Sequence, residues 1–298
     1  MIWLARTAIL VRYARPRSLE EALALIGEGD WRVLAGGTDF YPALGAKPLR
    51  HDVLDINGLA ELRGITDTPA AIVIGARTTW SDIVRANLPA SCDALKQAAR
   101  EVGSLQIQNT GTVAGNICNA SPAADGVPAL LILDAEVEIA SADSRRSEPL
   151  AAFIQGNRKT TLRPGELVTA VRLPKTSLAG ASSFFKLGAR RYLVISIAMT
   201  AVRLAIAGDG TVADAAIAVG ACSAVAQRLR SLEQALLGSD LGAVATQPPD
   251  ERHFAALTPI DDVRGSAEYR RAAAREIVWR ALATVAAQEA RPPKECAA

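Results

Sequence analysis

Two polar, glycine-containing segments carry the residue types best able to hold an anionic ligand. The first is Leu34-Ala35-Gly36-Gly37-Thr38-Asp39-Phe40. Its glycines permit backbone conformations closed to other residues and let a ligand approach the main chain. Successive inward amides can form an anion nest, Thr38 adds a hydroxyl, and a diphosphate suits that arrangement. The same residues also suit a plain strand-to-helix turn with Asp39 as its cap. The second segment, Asn109-Thr110-Gly111-Thr112-Val113-Ala114-Gly115-Asn116-Ile117, leads to Ser121-Pro122-Ala123-Ala124-Asp125. It lies between apolar stretches yet is dense in small donors and acceptors, which need partners wherever they are buried. It is either an irregular surface loop or a wrapping for something polar, such as a nucleotide or flavin chain with phosphate and ribityl hydroxyls. Two such segments favour one shared ligand.

Other chemistries find little support. Gly36-Gly37 lacks the third glycine of a dinucleotide fingerprint and the long helix after it. No lysine completes a phosphate loop of the ATP-hydrolysing type. Only His51 and His253 could serve a nucleophile as base, and no Gly-x-Ser-x-Gly elbow is present. Cys92, Cys118, Cys222 and Cys296 show no CxxC spacing, so neither a zinc site, an iron–sulfur cluster nor a disulfide framework is expected. The 33 basic and 31 acidic side chains nearly cancel, which disfavours nucleic acid as a partner. Arg6 and Arg12 interrupt the apolar start Met1-Ile2-Trp3-Leu4-Ala5 before a signal-peptide core can form. No apolar run approaches the roughly 18 residues of a membrane span. A reducing, cytoplasmic setting is therefore expected, and any redox or group-transfer chemistry would rest on a bound organic cofactor.

The 298 residues suit two domains at roughly 100–200 residues each. Ser18 with Glu21 has capping-box spacing and opens a helix ending near Gly27 or Gly29. Strands are predicted at Trp31 to Ala35, Asp52 to Ile56 and Ala71 to Ala76. Thr79 caps a helix that Leu88-Pro89 ends, and another covers Ser91 to Val102. Gly103 to Asp125 reads as turns around a short strand. An apolar helix follows at Pro128 to Leu133, then strands at Glu136 to Ala140 and, after the Pro164-Gly165 turn, Leu167 to Leu173. Pro174 to Ala181 has linker composition. Beyond it come extended segments at Ser183 to Leu187, Val194 to Ala207 and Val212 to Cys222, with a hairpin at Gly208-Asp209-Gly210. Helices follow at Arg230 to Leu237 and Glu268 to Gln288. The expected division is a first domain over 1–176, a smaller α+β domain over 177–290, and a frayed tail over 291–298.

These residues resemble the FAD-binding medium subunit of the molybdenum hydroxylases, the xanthine dehydrogenase or carbon monoxide dehydrogenase flavoprotein family. The match runs through Ala35 to Asp39, Asn109 to Asp125, Leu162 to Pro174 and Phe185-Lys186 through Arg191, in order. Asp261-Asp262-Val263-Arg264-Gly265-Ser266 with Tyr269-Arg270 adds the family's C-terminal signature. The resemblance implies an α+β architecture. An FAD domain of the vanillyl-alcohol-oxidase type, in two subdomains, precedes a smaller C-terminal domain of antiparallel sheet and helices. It also implies roles. Ala35, Gly36, Gly37, Thr38 and Asp39 would bind the FAD diphosphate. Thr112, Ala114, Gly115 and Asn116 would form a second wall. Ser121 and Asp125 would meet the ribityl–diphosphate region, and Val168 and Lys186 would lie near the flavin.

Some positions depart from the pattern or admit a simpler role. Gln108 stands where the family often has Arg, and Ala114 where it often has Gly. Members with an extra iron–sulfur cluster carry a cysteine-rich insertion that this chain lacks. Cys118 is expected as a small packing residue. Lys186 is either a charge near reduced flavin or a surface lysine at a strand end. Asp261-Asp262 with Arg264 reads as a structural turn with ion pairs, and His51 as polar surface.

The function implied by the resemblance is electron transfer. A large subunit with the molybdenum cofactor would oxidise substrate, and a small subunit would relay electrons through [2Fe–2S] clusters. FAD on this chain would pass them to NAD⁺, oxygen, a quinone or another acceptor. The assembly would be a heterotrimer or a dimer of heterotrimers, without a membrane span. No side chain of this chain would be catalytic and none would bind metal. The alternatives are a free-standing FAD oxidase or dehydrogenase and a nucleotide-binding structural subunit without flavin.

Overall fold

The computed structural model describes residues 11–290. The apolar start at Met1 to Ala5 and the tail expected at 291–298, with Cys296, lie outside them.

Three sheets follow one another along the chain. The first is parallel, with Asp52–Asp55 between Tyr13–Ala14 and Trp31–Leu34. Helix Leu19–Gly27, capped by Ser18, buries Ala22, Leu23 and Ile26 among Trp31, Leu54 and Leu59. The second sheet is antiparallel and five-stranded, in the order Ile65–Asp67, Ala71–Gly75, Leu167–Pro174, Glu136–Ala140, Arg145–Pro149. Helices Trp80–Arg85, Asp93–Glu101 and Gly126–Leu131 complete its core. A ribbon of Ile154–Gly156 and Lys159–Thr160 lies beside it.

The third sheet is antiparallel, in the order Ala181–Leu187, Ala198–Ile206, Val212–Gly220, Gln227–Arg228. Alternation along its central strands assigns each face. Ala198, Val202 and Leu204 join Ile217 and Val219 in a core under helix Ala267–Glu289. Met199, Ala201, Ala216 and Ala218 point the other way and join the core of the second sheet. Both faces are covered, which explains why this hairpin reads as nearly continuous apolar sequence.

The segment Gly103 to Asp125 corrects the expectation of turns around a strand. It forms two helices, Leu105–Thr110 and Val113–Asn119, capped by Ser104 and Thr112. Its Gly, Asn and Thr content argues weakly against helix, but caps and the burial of Val113, Ala114 and Ile117 outweigh propensity. Among the strands without a sequence signal are Ile65–Asp67 and Arg145–Pro149. Both are edge strands, where polar and charged residues replace the apolar alternation that marks a covered strand.

Candidate functional site

The first glycine turn leaves the parallel sheet at Leu34 and is fastened by the 3-10 turn Ile56–Gly58 that follows the neighbouring strand. Asn57 Nδ2 donates to the Ala35 carbonyl at 2.8 Å and to Asp55 Oδ1 at 2.8 Å. The Tyr13 hydroxyl donates to the other Asp55 oxygen at 2.6 Å. Burial alone would raise the Asp55 carboxyl, but hydrogen bonds from Tyr13 and Asn57 hold it below its ordinary value. Gly37 has φ +73, and a Cβ on Gly36 would lie 1.9 Å from the Thr110 carbonyl oxygen. The two polar segments therefore touch backbone to backbone, which glycine alone allows at that point.

Asp39 occupies the N-cap position of helix Phe40–Leu44, yet its side chain makes no capping bond. Across the cleft, Thr112 Oγ1 accepts from the Gly115 amide at 3.0 Å. Between the two segments lies a cleft of about 500 Å³, within the usual range for small-molecule sites. Ala35, Gly36, Gly37, Thr38, Asp39, Thr112, Ala114, Gly115, Asn116 and Val168 all line it. Apolar walls come from Ile56, Val102, Ile107, Leu162 and Leu167, and Trp80 closes part of the floor.

Polar groups with unmet bonding capacity face this space. The amides of Gly37, Thr38 and Asp39 donate to no protein acceptor among the described residues. Asn116 Oδ1 also has no partner among them, but it is enclosed beside Gly126 and not open to the cleft. Backbone amides are normally bonded, so the cleft suits a ligand that carries acceptors for these three. An apolar ring system joined to a hydroxylated chain and a diphosphate fits that demand, and FAD is such a molecule.

Ser121, Asp125 and Lys186 stand outside the lining of this cleft. Ser121 Oγ accepts from the Ala123 amide. Asp125 is buried; its carboxylate accepts from Lys186 Nζ at 2.6 Å and from the Ser196 hydroxyl at 2.6 Å. Burial raises the Asp125 carboxyl above its usual range, and Lys186 only partly offsets this. Lys186 also donates to the Glu101 carbonyl at 3.2 Å and borders a second cavity with Gln97, Arg100 and Phe184. Its surface reading is thereby corrected, because 6% of the side chain is exposed and the charge is paired.

Cys118 is partly buried at the cleft wall, and burial pushes its thiol up to about 12. Asp262 accepts from the Arg264 amide and from the Arg270 and Arg264 side chains, which hold its carboxyl at about 2. This is the expected turn with ion pairs. His51 is exposed, as polar surface should be. Among the described residues no group of His, Cys, Asp and Glu could hold a metal ion, and no helix is long and apolar enough to cross a membrane. Asn57, Trp80 and Arg158 escaped the sequence reading. None sits in a local motif; only the fold brings Trp80 and Arg158 to the cleft and Asn57 to the Ala35 carbonyl.

The chain matches the model of the FAD binding domain in molybdopterin dehydrogenase over residues 9–176. It matches the CO dehydrogenase flavoprotein C-terminal domain over residues 183–285. The chain belongs to the FAD-binding medium subunits of the molybdenum hydroxylases. It is 31% identical to the glyceraldehyde dehydrogenase medium chain of Sulfolobus acidocaldarius, covering 92% of this chain and 98% of that one. It is also 31% identical to the carbon monoxide dehydrogenase medium chain of Hydrogenophaga pseudoflava, covering 91% and 95%. A solved structure of the latter organism's carbon monoxide dehydrogenase superposes with a TM-score of 0.83 at 29% identity, covering 93% of this chain and 98% of that one. As a medium subunit this chain is the flavoprotein component of an oxidoreductase, and its cofactor is FAD. The two-part α+β architecture is the one those subunits share.

Proposed function

We propose that this medium subunit receives electrons from an iron–sulfur partner and delivers them to an external acceptor through FAD held in the cleft. The observation that carries the reading is the single cleft joining both glycine turns, with the free amides of Gly37, Thr38 and Asp39 on its wall. Those amides and the Thr38 hydroxyl would hold the diphosphate. Thr112, Ala114, Gly115 and Asn116 would form the opposite wall, and Val168 would pack on a ring. Ser121, Asp125 and Lys186 would act from outside the lining, by setting the position of the loop that carries the second wall. When bound, FAD supplies the exchange between single electrons and electron pairs. The protein's own work is to bind, orient and shield the cofactor.

The partners in this reading are a large subunit with the molybdenum cofactor and a small [2Fe–2S] subunit, assembled as a heterotrimer or its dimer in the cytoplasm. The solved enzyme from Hydrogenophaga pseudoflava is described as lacking the Mo-pyranopterin moiety of its molybdenum cofactor, and a second solved relative, 27% identical, as a Cu,Mo-CO dehydrogenase; both support the first partner. Relatives named as a subunit of the 6-hydroxypseudooxynicotine dehydrogenase complex and as the nicotine 6-hydroxylase medium subunit support a multi-subunit assembly. We place the boundary between the FAD domain and the C-terminal domain at residues 176/177, in the turn after the strand Leu167–Pro174.

Native copurification with metal analysis and a visible spectrum tests all of this together. Flavin, iron and molybdenum in one complex with this chain are expected. A flavin-containing chain that purifies alone and oxidises a substrate by itself would overturn the assignment.

A further inference from the structure

Arg158 has a backbone conformation that its residue type disfavours. It sits at the turn of the ribbon Ile154–Gly156 and Lys159–Thr160, with φ +56. A side chain in this left-handed region costs on the order of 1 kcal/mol, and glycine or asparagine is the relaxed choice in such turns. The turn is nevertheless pinned. The Arg158 amide donates to the Ala120 carbonyl at 3.0 Å, and Arg158 Nη1 donates to Asn119 Oδ1 at 3.0 Å. Both Arg158 and Asn119 line the cleft.

The charge balance of the cleft gives this guanidinium a purpose. The cations lining it are Arg32 and Arg158, and the carboxylates are Asp39 and Glu166. Glu166 is already consumed, because Arg146 donates to both its oxygens at 2.8 and 2.7 Å and the Arg163 amide adds a third bond. Among the described residues Arg158 gives one of its five side-chain N–H groups to Asn119 and has no other side-chain bond, which leaves the rest available to an anion.

We propose that Arg158 is a phosphate-binding residue of the cofactor site, oriented by Asn119, and that it selects the dinucleotide over dephosphorylated flavin. This rests on the reading of the cleft as the FAD site. Charge-assisted bonds from an arginine fork exceed neutral ones in strength, and this explains why a strained arginine stands where glycine would be relaxed.

The test is flavin titration of the full chain, stripped of cofactor, followed by fluorescence quenching, with thermal unfolding alongside. Arg158→Gly is expected to weaken FAD binding about tenfold, leave riboflavin binding unchanged and keep a melting temperature no lower than that of the parent. Arg158→Lys, which keeps the charge, should recover most of the FAD affinity. Unchanged FAD affinity in Arg158→Gly, or an equal loss for riboflavin, would overturn the proposal while the FAD assignment stands. A parent chain that binds no FAD at all overturns both.

Discussion

Lys186 and Asp125 are 61 residues apart in sequence, and their side chains meet at 2.6 Å in the interior. Asp125 immediately precedes helix Gly126–Leu131, and Lys186 lies on the sheet strand Ala181–Leu187. Ser196 donates to the second oxygen of Asp125, so three elements converge on one carboxylate. This pair joins the chain's two halves next to the loop that leads out of the cleft.

Removing one member leaves the other charge buried. Lys186→Met should therefore cost about 3–5 kcal/mol at neutral pH, read by chemical denaturation. The pH dependence has a definite sign. Burial already holds the Asp125 carboxyl above its usual value, and loss of Lys186 raises it further. A raised acid stabilises the fold when protonated and loses that contribution as pH rises through its folded value. The deficit of the variant should shrink as pH falls from about 8 toward about 5. A deficit that grows on acidification would contradict the buried-pair account.

Asn57 holds the glycine turn by a route that no local motif reveals. Asn57→Ala should lower stability by about 1 kcal/mol and weaken FAD more than riboflavin, because the turn that faces the phosphates loses its anchor on the Ala35 carbonyl. Equal weakening of both flavins would show that Asn57 acts on the whole cleft and not on the turn.

Gly36 has no room for a side chain. Gly36→Ala would press a methyl group against the Thr110 carbonyl and separate the two cleft walls, at a cost of about 1–3 kcal/mol. Purified variant should carry little flavin, measured as visible absorbance per chain. Full flavin occupancy would refute the close approach of the two segments.

The three described thiols should be quiet. Burial pushes Cys118 up to about 12 and Cys92 and Cys222 up to about 11. Alkylation acts on the thiolate, so at about pH 8 these sites should react slowly in the native chain and quickly after unfolding. Mass mapping of the labelled sites checks this, and rapid native labelling of Cys118 would mean that the cleft wall opens.

Local signals were legible because they act between near neighbours. The Ser18 and Thr79 caps, the turn at Gly36-Gly37 and the hairpin at Gly208 to Gly210 depend on residues within a few positions. The strands in sheet interiors were legible from short apolar runs or, at Glu136 to Ala140, from alternation. Resemblance across motifs in order identified the family without coordinates.

Other properties depended on what packs against what. The segment after Gly103 is helical because capping and burial of Ile117 outweigh its polar composition. Edge strands such as Arg145–Pro149 have no second neighbour to impose an apolar pattern. Residue types and spacing alone marked two glycine-containing segments as candidates for one shared ligand, and the resemblance across motifs supplied FAD as that ligand. Tertiary structure decided that Lys186 is buried on Asp125, that Asn57 anchors the turn, and that Arg158 reaches the cleft. Charge pairing and burial are set by through-space distance, and chain spacing does not specify the distance between residues so far apart in sequence.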